Sequence, residues 1–135
     1  MTNQNKRVGN SFEADLCEYL ACLGFWAHNM VQGHAGQPAD ILAVRNGTAF
    51  LIDAKVCKGD MFSLSRIEEN QRFAMQLWTE CGNGQGWFCI RFPSDIWMVP
   101  MSRFLACRQK SVGISWMKKH AIRLDEWVKE DIWTS

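Results

Sequence analysis

Asp40-Ile-Leu-Ala-Val-Arg-Asn-Gly-Thr-Ala-Phe-Leu-Ile-Asp-Ala-Lys55 is the stretch that decides the fold. Two apolar, β-prone runs flank Asn46-Gly47. That dipeptide favours a two-residue type I′ turn, because both central residues of such a turn need φ > 0. With Asn46 and Gly47 as the turn, Arg45 faces Thr48, and the numbers of paired residues sum to 93. Asp40 then stands opposite Asp53. Side chains alternate along a strand, so Lys55 shares the face of Asp53. The register alone gathers two carboxylates and one ammonium.

Directly opposed β-carbons lie roughly 4.5–5.5 Å apart, where like charges repel. At about 5 Å and an effective dielectric of about 20 the repulsion is about 3 kcal/mol. A hard divalent cation turns that cost into binding free energy, since Mg²⁺ favours one or two carboxylates with waters and phosphate oxygens. The plainer reading is a solvated hairpin end in which Lys55 neutralises one aspartate.

The composition narrows the classes. A chain of 135 residues with 47% hydrophobic residues is long enough for one domain, 1–135, with its own core. No apolar run approaches the ~20 residues of a membrane span, and the start is polar, so a cytoplasmic protein is expected. The six cysteines include no Cys-x-x-Cys pair and are read as reduced thiols. The three histidines have no metal spacing. The net charge of +1 excludes a global electrostatic case for nucleic acid; any such contact needs local patches. Seven tryptophans suit a core, a subunit interface or base stacking.

Working outward from the hairpin, residues 1–9 read as a flexible basic arm. Asn10 and Glu13 have capping-box spacing before a helix over 11–23, with Gly24 as its C-cap. Strands are predicted over 25–31, 39–45 and 48–56. Ser65 and Glu68 form a second capping-box pattern for a helix reaching about residue 80. Strands follow over 87–92 and 96–99, then a short helix from Pro100 and a last helix over 124–133. The class is α/β: a mixed β-sheet flanked by helices, with an α-β-β-β-α-β core.

Glu13, Asp40, Asp53-Ala54-Lys55 and the following helix together resemble the PD-(D/E)xK nuclease superfamily, with its restriction-endonuclease-like fold. Gln-Pro-Ala-Asp40 stands for the first acid and Asp53-Ala54-Lys55 for the second acid and lysine. Lys6-Arg-x-Gly-Asn-x-x-Glu13 resembles the N-terminal motif of Holliday junction resolvases. Ile67-Glu-x-x-Gln71, Gly86-Trp-Phe-Cys-Ile-Arg-Phe92 and Trp97-Met-Val-Pro100 are similar to the RecU-type branch. The resemblance spans residues 6–112. Only 15 residues separate Gly24 from Asp40, too few for that branch's stalk. In length the chain is closer to compact archaeal-type resolvases.

The resemblance implies a Mg²⁺-dependent endodeoxyribonuclease acting on branched DNA such as a four-way junction, with Mn²⁺ as a substitute ion. Asp40, Asp53 and the Ala54 carbonyl would hold the metal, and Glu13 would reach it directly, through water or through Lys55. Lys55 would orient or deprotonate the attacking water. Gln71 either approaches the site or bonds to backbone. Lys6, Arg7, Arg108 and Lys110, with Lys118 and Lys119, are the candidate phosphate contacts. Symmetrical cutting of two strands calls for a C2 homodimer. A restriction, nicking or repair nuclease on linear or flapped DNA is the alternative, and a catalytically inactive DNA-binding module a further one. The compact size and missing stalk would suit a phage or mobile-element enzyme.

Overall fold

The structure is a computed structural model and describes residues 3–30 and 39–129, with side chains from residue 11 onward. The central hairpin has the predicted register. β2 (Ile41–Arg45) pairs antiparallel with β3 (Thr48–Val56), matching Arg45 to Thr48 and Ile41 to Ile52. Asn46 and Gly47 have φ of 52° and 77°, the left-handed pair that a type I′ turn requires.

Around the hairpin the sheet has six strands. β1 (Trp26–Asn29) is antiparallel to the outer side of β2. On the other side β5 (Trp87–Arg91) runs parallel to β3. β6 (Ile96–Pro100) and the two-residue β8 (Ile122–Arg123) complete the order β1-β2-β3-β5-β6-β8. A separate ribbon pairs β4 (Phe62–Ser63) with β7 (Ser111–Val112).

Helices cover both faces. On one side lie α1 (Asn3–Cys22) and α5 (Leu124–Trp127). Their Phe12, Leu16, Leu20, Leu124 and Trp127 bury against Ile41, Phe50, Ile52, Trp87, Cys89 and Met98. On the other side lie α2 (Glu69–Glu80), α3 (Met101–Ala106), α4 (Ile114–His120) and the β4–β7 ribbon. Here Leu51, Phe88, Ile90, Trp97 and Val99 meet Met75, Phe104, Val112 and Met117. Neighbouring residues of β3, β5 and β6 thus go to opposite layers, as expected for strands buried on both sides. The far face of β2 is covered less: Leu42 and Val44 are only half-buried.

Several boundaries differ from the sequence reading. α1 begins at Asn3, so residues 3–9 continue a helix instead of forming an arm; no proline interrupts them. Asn10 therefore lies inside the helix and does not cap it. Gly24 does end α1: its φ is 91°, and Phe25 N–H reaches Leu20 O at 3.1 Å. The second capping box sits three residues later than predicted, at Glu68 and Gln71. Pairing of β4 with β7, and the bond from Leu64 N–H to Lys110 O, hold the preceding segment in place; Leu64–Arg66 forms only a 3₁₀ turn. Pro100 is the N-cap of α3 and not its first helical residue. α5 spans four residues; the predicted continuation beyond 129 falls outside the described residues.

Among the described residues, Trp87, Trp97 and Trp127 are buried. Trp127 is central to the α1 layer, stacked on Phe25 at 5.8 Å and edge-on to Phe50 and Trp87. All six cysteines are unpaired; Cys57 and Cys89 are buried, whereas Cys22 and Cys81 are exposed.

Candidate active site

β3 supplies the centre of the site because its alternation is fixed on both sides. Phe50 and Ile52 go to the α1 layer, so Leu51, Asp53 and Lys55 go to the α2 layer. Asp53 is 1% exposed. Asp40 sits one residue before β2, at the open end of the sheet. Its own N–H bonds Ile52 O at 3.1 Å, one residue out of step with the 93-sum register, so the ladder ends at Ile41–Ile52 and Asp40 reaches the site from just outside it.

Two bonds then fix the carboxylates. Ala54 N–H donates to Asp40 Oδ2 at 2.8 Å. Gln71 Nε2 donates to Asp53 Oδ1 at 3.0 Å. Gln71 does both things the sequence left open, since its Oε1 also accepts from Glu68 N–H at 3.1 Å. The α2 N-terminus and the acidic cluster are thereby tied through one side chain. The bond from Ala54 N–H had no motif to announce it; only the register implies it.

Lys55 Nζ lies 3.0 Å from Asp53 Oδ2, an ion pair with the lysine side chain 12% exposed. That oxygen has no hydrogen bond of adequate geometry. Glu13, mid-helix on α1 and 8% exposed, lies beside Asp40. It is therefore no capping residue. Asp40 is the common neighbour, with its carboxyl group within hydrogen-bonding reach of both Glu13 and Asp53. Two carboxylates bond each other only while a proton lies between them.

The charges show the same shortage of positive charge. Burial, and then Asp40, push the Glu13 carboxyl from 4.5 to about 7, with Lys55 opposing. Burial likewise raises Asp53, and the Lys55 ammonium does not offset it. Three buried carboxylates beside one ammonium therefore retain a proton near neutral pH. A divalent cation satisfies the same deficit, and Asp53 Oδ2, buried and facing only the Lys55 ammonium, offers it lone pairs. The donor set fits a hard, oxygen-seeking ion. Among the described residues no three His, Cys, Asp or Glu side chains form a metal-holding group by themselves. Backbone and water oxygens must complete the coordination, as Mg²⁺ prefers.

The basic candidates fall elsewhere. The side chains of Lys6 and Arg7 lie outside the described residues. Arg108 and Lys110 are exposed on the connection from α3 to β7, and Lys118 and Lys119 are exposed on α4. No helix among the described residues is long and apolar enough to cross a membrane.

Comparison with known proteins agrees with this geometry. The family model of the archaeal Holliday junction resolvases (Hjc) matches residues 4–132. No curated protein matches the chain. Among solved structures, Hjc of Archaeoglobus fulgidus, described as a Holliday junction resolvase from an archaeal hyperthermophile, is similar with a TM-score of 0.68 at 21% identity. The match covers 90% of this chain and 96% of that one.

Proposed function

From the premise that this chain belongs to the archaeal Holliday junction resolvase family, and so is a metal-dependent endonuclease that acts on DNA junctions, we propose how its residues perform that work. Asp40, Asp53 and the Ala54 carbonyl hold the cation, with Mg²⁺ the physiological ion and Mn²⁺ a substitute. When bound, the ion supplies positive charge to the scissile phosphate and acidifies water. Lys55, braced by Asp53, orients the attacking water and stabilises charge on the phosphate. Gln71 holds Asp53 in place from α2. Glu13 positions Asp40 from α1, beside the place where the cation would sit. Arg108 and Lys110 meet phosphates of the DNA, as do Lys6 and Arg7.

One observation carries this reading: the Asp40 carboxylate bonds the Ala54 N–H, between Asp53 and the Lys55 that pairs with it. A synthetic four-way junction with Mg²⁺ tests it. Wild type is expected to resolve the junction into nicked duplexes and leave linear or flapped duplexes uncut, and Asp53→Asn to leave all of them intact. Equal cutting by the variant, or none by wild type, defeats the assignment.

Symmetrical resolution needs two sites, and a C2 homodimer provides them. Phe73 is 69% exposed and Leu77 48%, one turn apart on α2. That pair supports α2 as the contact between two copies. Phe73→Glu should give a monomer by sedimentation and abolish paired cuts. Six unpaired cysteines suit a reducing cytoplasm.

A further inference from the structure

Beyond Lys55 the chain leaves β3 in a tight turn. Cys57 N–H bonds Arg91 O at 2.7 Å, and Cys57 Sγ donates to Met61 O at 3.1 Å. The turn leads into β4, which pairs with β7. Between the turn and α4 lies a groove of about 470 Å³, lined by Gln109, Ser111, Ser115, Trp116, Lys119 and His120. Met61 and Gly113 complete its lining. A β-carbon at Gly113 would meet Met61 Sδ at 2.9 Å and Asp60 O at 3.0 Å, so glycine lets the turn close against the segment before α4.

The groove has a definite chemistry. Its polar groups are hydroxyls, an amide, an imidazole and an ammonium. None of its lining residues carries a carboxylate. These are the groups that bond phosphate and sugar oxygens. Trp116 is stacked on Phe104, with ring centroids 5.4 Å and planes 4° apart, and His120 packs on it at 4.8 Å. The indole is a wall held by its neighbours and not a free platform for a base. Trp116 packs against the core layer that holds Leu51, so the groove belongs to the side of the sheet that carries Asp53 and Lys55.

A second groove, of about 700 Å³, lies on the α1 side and differs in charge. Asp15, Asp95 and Asp125 line it against Arg91 and Arg123. Both guanidinium groups are engaged: Arg123 lies 3.9 Å from Asp95, and Arg91 stands 5.5 Å over the Phe12 ring. A polyanion is disfavoured there.

We propose that the α4 groove binds the sugar–phosphate backbone of the substrate DNA beside the cleavage site, with Lys119 and His120 on phosphate oxygens. It rests on the resolvase reading above and adds a binding surface to it. The contact reads backbone and not base identity, because no aromatic face is free to stack.

Anisotropy of a labelled four-way junction over a range of salt, without metal, measures binding. Single-turnover cleavage with Mg²⁺ at saturating protein measures chemistry. Lys119→Glu should weaken binding roughly tenfold and lower the salt slope by about 1, with the saturated cleavage rate unchanged. His120→Ala should weaken it less. Arg103→Glu makes the same charge change at an exposed position on α3 and should leave binding within about twofold. Thermal melting checks that each variant is folded. If wild type cuts and Lys119→Glu binds like wild type, or no more weakly than Arg103→Glu, the groove assignment is overturned alone. If wild type neither binds nor cuts the junction, the resolvase reading falls and the groove falls with it.

Discussion

The two faces of the sheet are built from the same strands and do opposite work. On the α1 face β3 presents Phe50 and Ile52 to a layer of rings, where Phe25, Phe50, Trp87 and Trp127 pack within about 6 Å of one another. On the α2 face the alternate residues are Leu51, Asp53 and Lys55. Burying one large apolar side chain stabilises by about 1.5–3 kcal/mol. Burying a carboxylate costs several kcal/mol until it is paired. The apolar cores of both layers therefore offset the cost of the carboxylates, which β3 confines to one end of its α2 face. A period of two in one strand is enough to keep these roles apart.

The most damaging way to break this division is to insert one residue between Asn46 and Gly47. A one-residue slip moves every β3 side chain to the other face. Asp53 and Lys55 would enter the layer of rings, and Phe50 and Ile52 would leave it. Circular dichroism should show loss of the fold, and junction cleavage should vanish. An insertion variant that folds and cuts would show that the hairpin absorbs the residue as a bulge and that the register is not what separates the faces.

The next test compares one carboxylate on each side. Asp53→Asn should lower cleavage by roughly a thousandfold or more while junction binding survives, as expected when charge stabilisation at the reacting phosphate is lost. Asp125→Ala, in the acidic groove on the α1 side, should change cleavage less than about twofold. Similar losses from both would mean that the α1 groove also handles DNA.

Much of this division was legible in the sequence, because it depends on local rules. Asn46-Gly47 fixes the turn, and the turn fixes the register as far as Ile41–Ile52, which leaves Asp40 just beyond the ladder and beside the Asp53 end of β3. Gly24 ends α1 for an equally local reason. What was not legible came from long-range pairing. The β4–β7 ribbon joins residues about fifty apart in the chain, and it delays α2 and moves its capping box to Glu68. α1 starts early because nothing in residues 3–9 stops it, so Glu13 lost its apparent capping role and kept the Asp40 contact. The α4 groove needed the tertiary fold, since Met61 and residues 109–120 meet only across that ribbon. The basic residues of the segment were visible, but not which of them share a cavity.

Gln71 offers a finer probe of the α2 side. It bonds Asp53 Oδ1 and the Glu68 N–H at once. Gln71→Ala should cut activity roughly 10–100-fold through a loosened Asp53. It should also cost about 1 kcal/mol of stability through the lost cap. Mg²⁺ titration should show the weaker site directly. Normal metal affinity with lower stability would reduce Gln71 to a capping residue.

The smallest expected effect concerns pH, and it should arise within the carboxylate cluster, where α1 and β3 meet. Glu13 rises from 4.5 to about 7 in the folded chain, and Asp53 is raised as well, both first by burial. Between these limits the folded chain holds protons that the unfolded chain has released. Stability then falls as pH rises. The contribution is full below about 4.5 and is lost as pH climbs through about 7. Metal-free protein should therefore melt lower at pH 8 than at pH 5.5, by at least about 1 kcal/mol, on the order of 3 °C. Mg²⁺ should restore the difference at pH 8, because the cation replaces the proton among the carboxylates. Asp53→Asn should flatten the slope and, without metal, melt above wild type at pH 8. A metal-free melting temperature that rises over this range would mean that Lys55 alone keeps the cluster ionised, and that the cluster has no charge deficit for a cation to fill.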